Sequence, residues 1–279
     1  MKNHAITIGL IVLLVFSLTS CSSEPNADEI KRRFESYTPD SSVVAVLDSS
    51  TFYFADHTLK LHDISNGESP NNGYLFVDRK LYFSTTKENG VFDFSLFVYS
   101  CDLYGKDKHL VFEKHGYKTR PWATGNHGKL YIEYYSTNAI DASARIIDSY
   151  NVVTEEYQSE ASGKTVHLSD YKRDSIGDYS CSFENNTLSV VDTQKNETYT
   201  VSPAELISNT FTEELNGLDW SYRGFYSSNA GKMYFLYRIE ASCPQYPHLL
   251  CEYIPDSNKL VYSLLYFADD ITAFRIENL

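Results

Sequence analysis

Basic residues are few in this chain: 24 Lys and Arg stand against 37 Asp and Glu, a formal net charge of −13. That balance repels nucleic acid and anionic headgroups at long range, so no nucleic-acid partner is expected, and neutral glycans, cationic ligands or another protein fit better. Cysteine is scarce as well, with 5 in 279 residues and no Cys-x-x-Cys spacing, which leaves zinc-ribbon and thioredoxin-type centres without support. The histidines past the first segment are dispersed, and His57 and His62, five apart on a short strand pattern, would point to opposite faces. Asp269-Asp270 lacks the spaced oxygen ligands of a calcium loop, so no metal site is expected. There is no Gly-x-Ser-x-Gly elbow, phosphate-cradling glycine loop or dinucleotide fingerprint, and no cofactor is expected. Acidic residues are abundant, but no motif selects a pair, so no catalytic residue is assigned.

No apolar run is long enough for a permanent membrane span either. The longest, from Ala5 to Leu18, covers about 21 Å as a helix, short of the roughly 30 Å of a bilayer core. With Lys2 before it and small polar residues after it, the run reads as an export signal over residues 1–20. Leu18-Thr19-Ser20-Cys21 resembles the lipobox of bacterial lipoproteins, although Thr19 is less usual there than Ala or Ser. The resemblance implies that Cys21 is lipidated and becomes the new N-terminus. The expected location is then outside the cytoplasm, on the cell membrane or an outer membrane, and the anchor makes the membrane itself a partner. Two acyl chains hold firmly, because each buried methylene contributes about 0.8 kcal/mol.

Residues 21–41 form the lipidated cysteine and a tether. Its first part, Ser22-Ser23-Glu24-Pro25-Asn26-Ala27-Asp28, is polar and aperiodic. Ile30, Phe34 and Tyr37 then follow at helical spacing behind Asp28, a candidate N-cap, so the segment is either one short amphipathic helix or more tether. Export permits disulfides. Cys243 and Cys251 flank a short proline-containing segment and are the expected bridge, whereas Cys101 and Cys181 lie in strands of different repeats with their pairing open.

What the chain has in quantity is tyrosine and phenylalanine, 23 and 16, set among Val, Leu and Ile in short runs. Such runs suit pleated, half-buried strands. Three share one pattern of lysine, aliphatic residue, tyrosine and large apolar residue: Lys80-Leu81-Tyr82-Phe83, Lys129-Leu130-Tyr131-Ile132 and Lys232-Met233-Tyr234-Phe235. Their spacing approximates one period and then two, which places a degenerate copy at Asp178-Tyr179-Ser180-Cys181-Ser182-Phe183 and an earlier one at Thr51-Phe52-Tyr53-Phe54. After the copies at Tyr82, Tyr131, Tyr179 and Tyr234 come a loop, a strand, a tight turn and a strand, whereas the first unit looks incomplete. A four-stranded antiparallel unit every 40–50 residues is the period of a propeller blade, and stacked blades bury what one blade cannot.

Residues 42–279 are therefore read as one all-β domain, a β-propeller of about five four-stranded blades, with six compatible with the count. The strand at 271–276 is expected to close the ring against the first unit, 43–63, removing two exposed edges. The units at 73–134 and 231–266 resemble those of bacterial extracytoplasmic propellers related to the YWTD-type blades of lipoprotein-receptor ectodomains, with Asp102-Leu103-Tyr104-Gly105-Lys106-Asp107-Lys108 as the segment after the strand, although the YWTD tetrapeptide is absent. The resemblance implies architecture and a binding habit, with a protein or glycan as partner, and no reaction.

One interruption is expected. Ser202-Pro203-Ala204-Glu205 has the order of a capping box and begins a helix over 203–215, inserted between units. Trp122 and Trp220 each precede a repeat strand and are expected on innermost strands or at their mouth. They are either core packing or, with Arg120 and Tyr222, one ligand-binding face of the channel. The functional reading is a membrane-anchored extracytoplasmic binding or scaffold lipoprotein. Its alternative is a degenerate glycoside hydrolase on the same scaffold, which would need two carboxylates converging in a central cleft.

Overall fold

The computed structural model describes residues 25–48, 50–126, 128–136, 145–159, 179–192, 195–228, 230–269 and 274–279. The export signal, the lipobox and Cys21 lie outside the described residues, as do Asp270 and the side chain of Cys181.

The fold is all-β and propeller-like, and the described residues form five antiparallel sheets taken almost in chain order. In the first sheet, β1 (Val43–Leu47), β2 (Thr51–Tyr53) and β3 (Thr58–Lys60) are completed by β19 (Phe274–Asn278), which pairs with β1 from Val43↔Asn278 to Leu47↔Phe274. The expected joining of the two chain ends is thus present. The second sheet is β4 (Ser69–Val77), β5 (Lys80–Gly90), β6 (Asp93–Asp102) and β7 (His109–Tyr117). The third is β8 (Trp122–Asn126), β9 (Lys129–Tyr135), β10 (Arg145–Asn151) and β11 (Glu156–Ser159). Three strands of the fourth are described, β12 (Tyr179–Glu184), β13 (Thr187–Asp192) and β14 (Glu197–Val201). The fifth is β15 (Trp220–Ser227), β16 (Met233–Ile239), β17 (Tyr246–Ile254) and β18 (Lys259–Ala268).

The recurring tetrapeptide has a physical explanation. In β5, β9 and β16 it begins the second strand of its sheet, just after the turn from the first. Leu81 and Phe83 point into the core shared with the first sheet, while Tyr82 points the other way, toward the third. Met233 and Phe235 likewise face the fourth sheet and Tyr234 faces the first. The second and fifth sheets are apolar on both faces because each has a neighbour on both, and fully burying one of these side chains stabilises by about 1.5–3 kcal/mol. The Thr51–Phe54 copy is a correction: it forms β2, the third strand of its sheet, and the second place is taken by β1. Its alternation met the same letters but not the same neighbours.

Both helical expectations are met with shifted bounds. Helix α1 runs Ala27–Arg33, capped by Asn26, whose side chain accepts from the Glu29 amide at 3.0 Å, rather than by Asp28. A one-turn helix, α2 (Leu61–Ile64), follows β3. Helix α3 runs Pro203–Thr210, with the Ser202 hydroxyl accepting from the Glu205 amide. It ends short of residue 215 because the chain then turns to drive Phe211, Leu215 and Leu218 into the same core as Ile30 and Phe34. Phe34, Tyr37 and Phe211 pack their rings together, and Phe34 stacks on Tyr262 of β18 at 6.0 Å, so both helices gather at the outer strand of the fifth sheet.

The bridge expected between Cys243 and Cys251 is not formed: both are free thiols. Cys251 is sealed within β17 in the apolar core of the fourth and fifth sheets, while Cys243 sits in the connection before that strand. Cys101 is also free and buried, and burial pushes its thiol up to about 12.

Candidate binding face

Four edge strands meet their neighbours side by side and run the same way. Gly73 of β4 lies against Ala123 of β8, and Gly125 lies against the Tyr74 carbonyl, so residue numbers climb together along the two edges. Ser228, just past β15, makes a parallel bridge to Ile276 of β19. The second and first sheets are in phase too, because the turn after β2 meets the turn after β6: His57 Nε2 lies 2.8 Å from the Leu103 carbonyl oxygen, and the Tyr104 hydroxyl donates to Asp56 at 2.8 Å. These turns mark the lower end. The starts of β4, β8, β15 and β19, with the β5–β6 and β16–β17 connections, then share the upper end.

At the upper end one buried side chain ties the segment leading into β8 to β4. Asn71, buried in β4, donates from Nδ2 to the Pro121 carbonyl at 2.8 Å and accepts from the Ala123 amide at 3.4 Å. Pro121 and Ala123 are buried, whereas Arg120 and Trp122 turn outward. Trp122 is 51% exposed, Arg120 is exposed, and the guanidinium stands 5.9 Å from the indole centroid. Arg120 Nε donates to the Thr86 hydroxyl at 3.1 Å. On the opposite face of the same strand, Thr85 donates to Glu68, which also accepts from Tyr99. Burial, and then the Glu68 carboxylate, pushes the Tyr99 phenol up to about 12.

Lower in the same pair of sheets lies a buried charge. Asp148 of β10, with no exposed surface, accepts from Lys114 Nζ at 2.8 Å, from the Ser159 hydroxyl at 3.0 Å and from Tyr157. The rings of Tyr117, Tyr134 and Tyr157 surround the Lys114 ammonium at 5.2, 5.2 and 4.7 Å. Lys114 and Tyr117 come from β7 and the rest from the third sheet, so the cage pins one sheet to the next. Its carboxylate is already engaged by an ammonium and by hydroxyls, which suits a structural ion pair rather than acid–base chemistry.

No family model matches the sequence, and no curated protein does. Among solved structures, the chain is similar to an endo-arabinase from Bacteroides thetaiotaomicron at 10% identity and a TM-score of 0.24, covering 74% of this chain and 81% of that one. A GH43_1 enzyme from Xanthomonas citri gives 10% identity and 0.25, covering 90% and 97%. A GDP-Man-dependent mannosyltransferase from Leishmania mexicana gives 10% and 0.21, covering 74% and 70%. Likeness at these scores carries no argument about what the chain binds or does.

The structure divides the four residues expected on one ligand face. Arg120 and Trp122 are together and open to solvent. Trp220 and Tyr222 are half-buried in the core of the fourth and fifth sheets, with Trp220 edge-on to Tyr237 at 6.0 Å and Tyr222 stacked on Phe183 at 5.4 Å. Sequence reasoning missed Asn71, Thr86 and the Lys114–Asp148 cage. Local pattern does not mark them, since each partner lies at least 34 residues away.

The tyrosine environments set a response to alkali. Burial first, and then Asp148, raises the phenols of Tyr117 and Tyr134, while Tyr157 is raised by burial and by its hydrogen bond to Asp148. Burial raises Tyr237 and Tyr266 as well. Folded values above the unfolded 10 mean that this contribution is complete below pH 10 and is lost as pH rises above it, because the unfolded chain sheds these protons first. Tyrosinate absorbance should therefore rise together with loss of circular dichroism. Smooth ionisation of every tyrosine near 10, with the fold intact, would contradict this burial.

Proposed function

We propose that the chain is a membrane-anchored extracytoplasmic binding protein: a five-bladed propeller, tethered through a lipidated Cys21, that takes a glycan ligand at its upper face. Five sheets in chain order, with β19 closing the first, support the blade count. The observation that carries the binding role is Arg120 stacked near an exposed Trp122 on a segment fixed by Asn71. An exposed indole offers an apolar face for a sugar ring, and the guanidinium beside it offers forked donors for an anionic substituent. Asn71 holds the backbone of this segment before ligand arrives, which reduces the ordering cost of binding.

The hydrolase alternative draws less support. Among the described residues no motif selects a carboxylate pair, and the buried Asp148 is committed to Lys114. Free thiols suit an exported chain when they are withdrawn from solvent, as Cys101 and Cys251 are.

The test is a glycan array followed by titration calorimetry on the intact chain. Trp122→Ala should weaken the captured glycan by about tenfold or more, the scale of an interface anchor. Arg120→Ala should weaken anionic glycans selectively. Equal binding by both variants and the parent protein, or release of free sugar from the glycan, would overturn this reading.

A further inference from the structure

The anchor and the upper face are linked by the chain itself. Cys21 precedes Pro25 by four residues, and a fully extended stretch of that length reaches at most about 14 Å. Pro25 is fixed to the domain, because its carbonyl accepts from the Ser242 amide at 3.1 Å. Ser242 belongs to the β16–β17 connection at the upper end, beside the start of β15, where Trp220 pairs with Ile239. From there α1 descends along β18, with Lys31 over the Phe267 ring at 5.0 Å and Phe34 on Tyr262. The N-terminal segment thus leaves the domain at its upper rim.

The same end carries an apolar projection. Strand β5 makes its last pairing with β4 at Thr86, yet continues to Gly90, and the turn into β6 is Val91-Phe92. Those four further residues extend about 13 Å at the rise of a strand, comparable to the reach of the tether. Val91 is 83% exposed and Phe92 is 50% exposed, with Phe92 at φ 58°. A hairpin turn ordinarily uses glycine, asparagine or aspartate at such positions, so a phenylalanine held there is not explained by turn geometry.

We propose that the upper face lies against the bilayer and that the Val91-Phe92 tip enters its interfacial layer as a second, non-covalent contact. This rests on the lipidated Cys21 of the preceding reading and deepens it. A tether this short holds the upper rim within reach of the headgroups, where exposed aromatic side chains partition favourably. The net charge of −13 opposes attraction to anionic lipid, so the contact is apolar rather than electrostatic. A ligand at Arg120 and Trp122, on that same face, would be one presented at the membrane surface.

Amide hydrogen exchange distinguishes the outcomes. The acylated chain is reconstituted on phosphatidylethanolamine–phosphatidylglycerol vesicles and compared with the unacylated Cys21→Ser chain in solution, and mass spectrometry reports the acyl chains at Cys21. Exchange at residues 90–93 should slow about tenfold on vesicles, while the lower turn at 152–155 is unchanged. An acylated chain whose tip exchanges as freely as in solution, or whose lower turn is the protected one, overturns the orientation and leaves the anchor standing. A mature chain without acyl groups at Cys21 overturns both.

Discussion

Replacing Lys114 with methionine should lower the unfolding free energy by about 3–5 kcal/mol, the cost of stranding one member of a buried ion pair. Methionine keeps most of the aliphatic stem, so the loss isolates the ammonium. Without it, the Asp148 carboxylate stays at a site with no exposed surface and loses its one ammonium partner, keeping hydroxyl contacts such as those of Tyr157 and Ser159. The three tyrosine rings, which attract a cation through their faces, then have none to surround. Adding Asp148→Leu should recover much of the loss, because the uncompensated carboxylate is gone. Urea unfolding at neutral pH measures both, with the slope unchanged if only stability has moved. A Lys114→Met effect below about 1 kcal/mol would mean that water reaches the carboxylate, as at an exposed pair.

Gly125→Ala should be at least as damaging. A Cβ there would stand 1.9 Å from the Tyr74 carbonyl oxygen and 2.8 Å from its carbon, and both are backbone atoms that cannot rotate aside. The two strands are close along this whole stretch, since a Cβ on Gly73 would likewise lie 2.3 Å from the Ala123 methyl carbon. Moving β8 away would break the two Asn71 hydrogen bonds that hold Pro121 and Ala123. The expected loss is more than about 4 kcal/mol, the range reserved for overpacking and broken buried networks. Gly90→Ala is the control. Nothing lies within 4 Å of its Cβ position, so thermal melts followed by circular dichroism should change little. Equal behaviour of the two variants would mean that the second and third sheets are not joined at these edges.

Much of this was legible in short stretches of chain. The lysine, aliphatic, tyrosine and apolar order locates β5, β9 and β16, because alternation along a strand states which side chains share a face. Serine, proline and glutamate in capping order locate the start of α3. The failures occur where the answer depended on a distant neighbour. Thr51–Phe54 has the strand pattern but not the position, since alternation is silent about which strands lie alongside. Asn26 and Asp28 are both competent caps, and the helix begins at the first, in a chain also held where Pro25 meets Ser242. The two flanking cysteines suggested a clasp by their spacing, yet one is inside a paired strand and buried among apolar groups.

Strand content, the alternating apolar faces and the capping box are properties of the sequence alone, because each arises from contacts within a few residues. Which loops share an end, and that Trp122 is exposed while Trp220 is packed, was decided only in three dimensions. The reason is that both tryptophans start edge strands and carry the same local signal. What separates them is whether a neighbouring sheet covers the face on which each one falls.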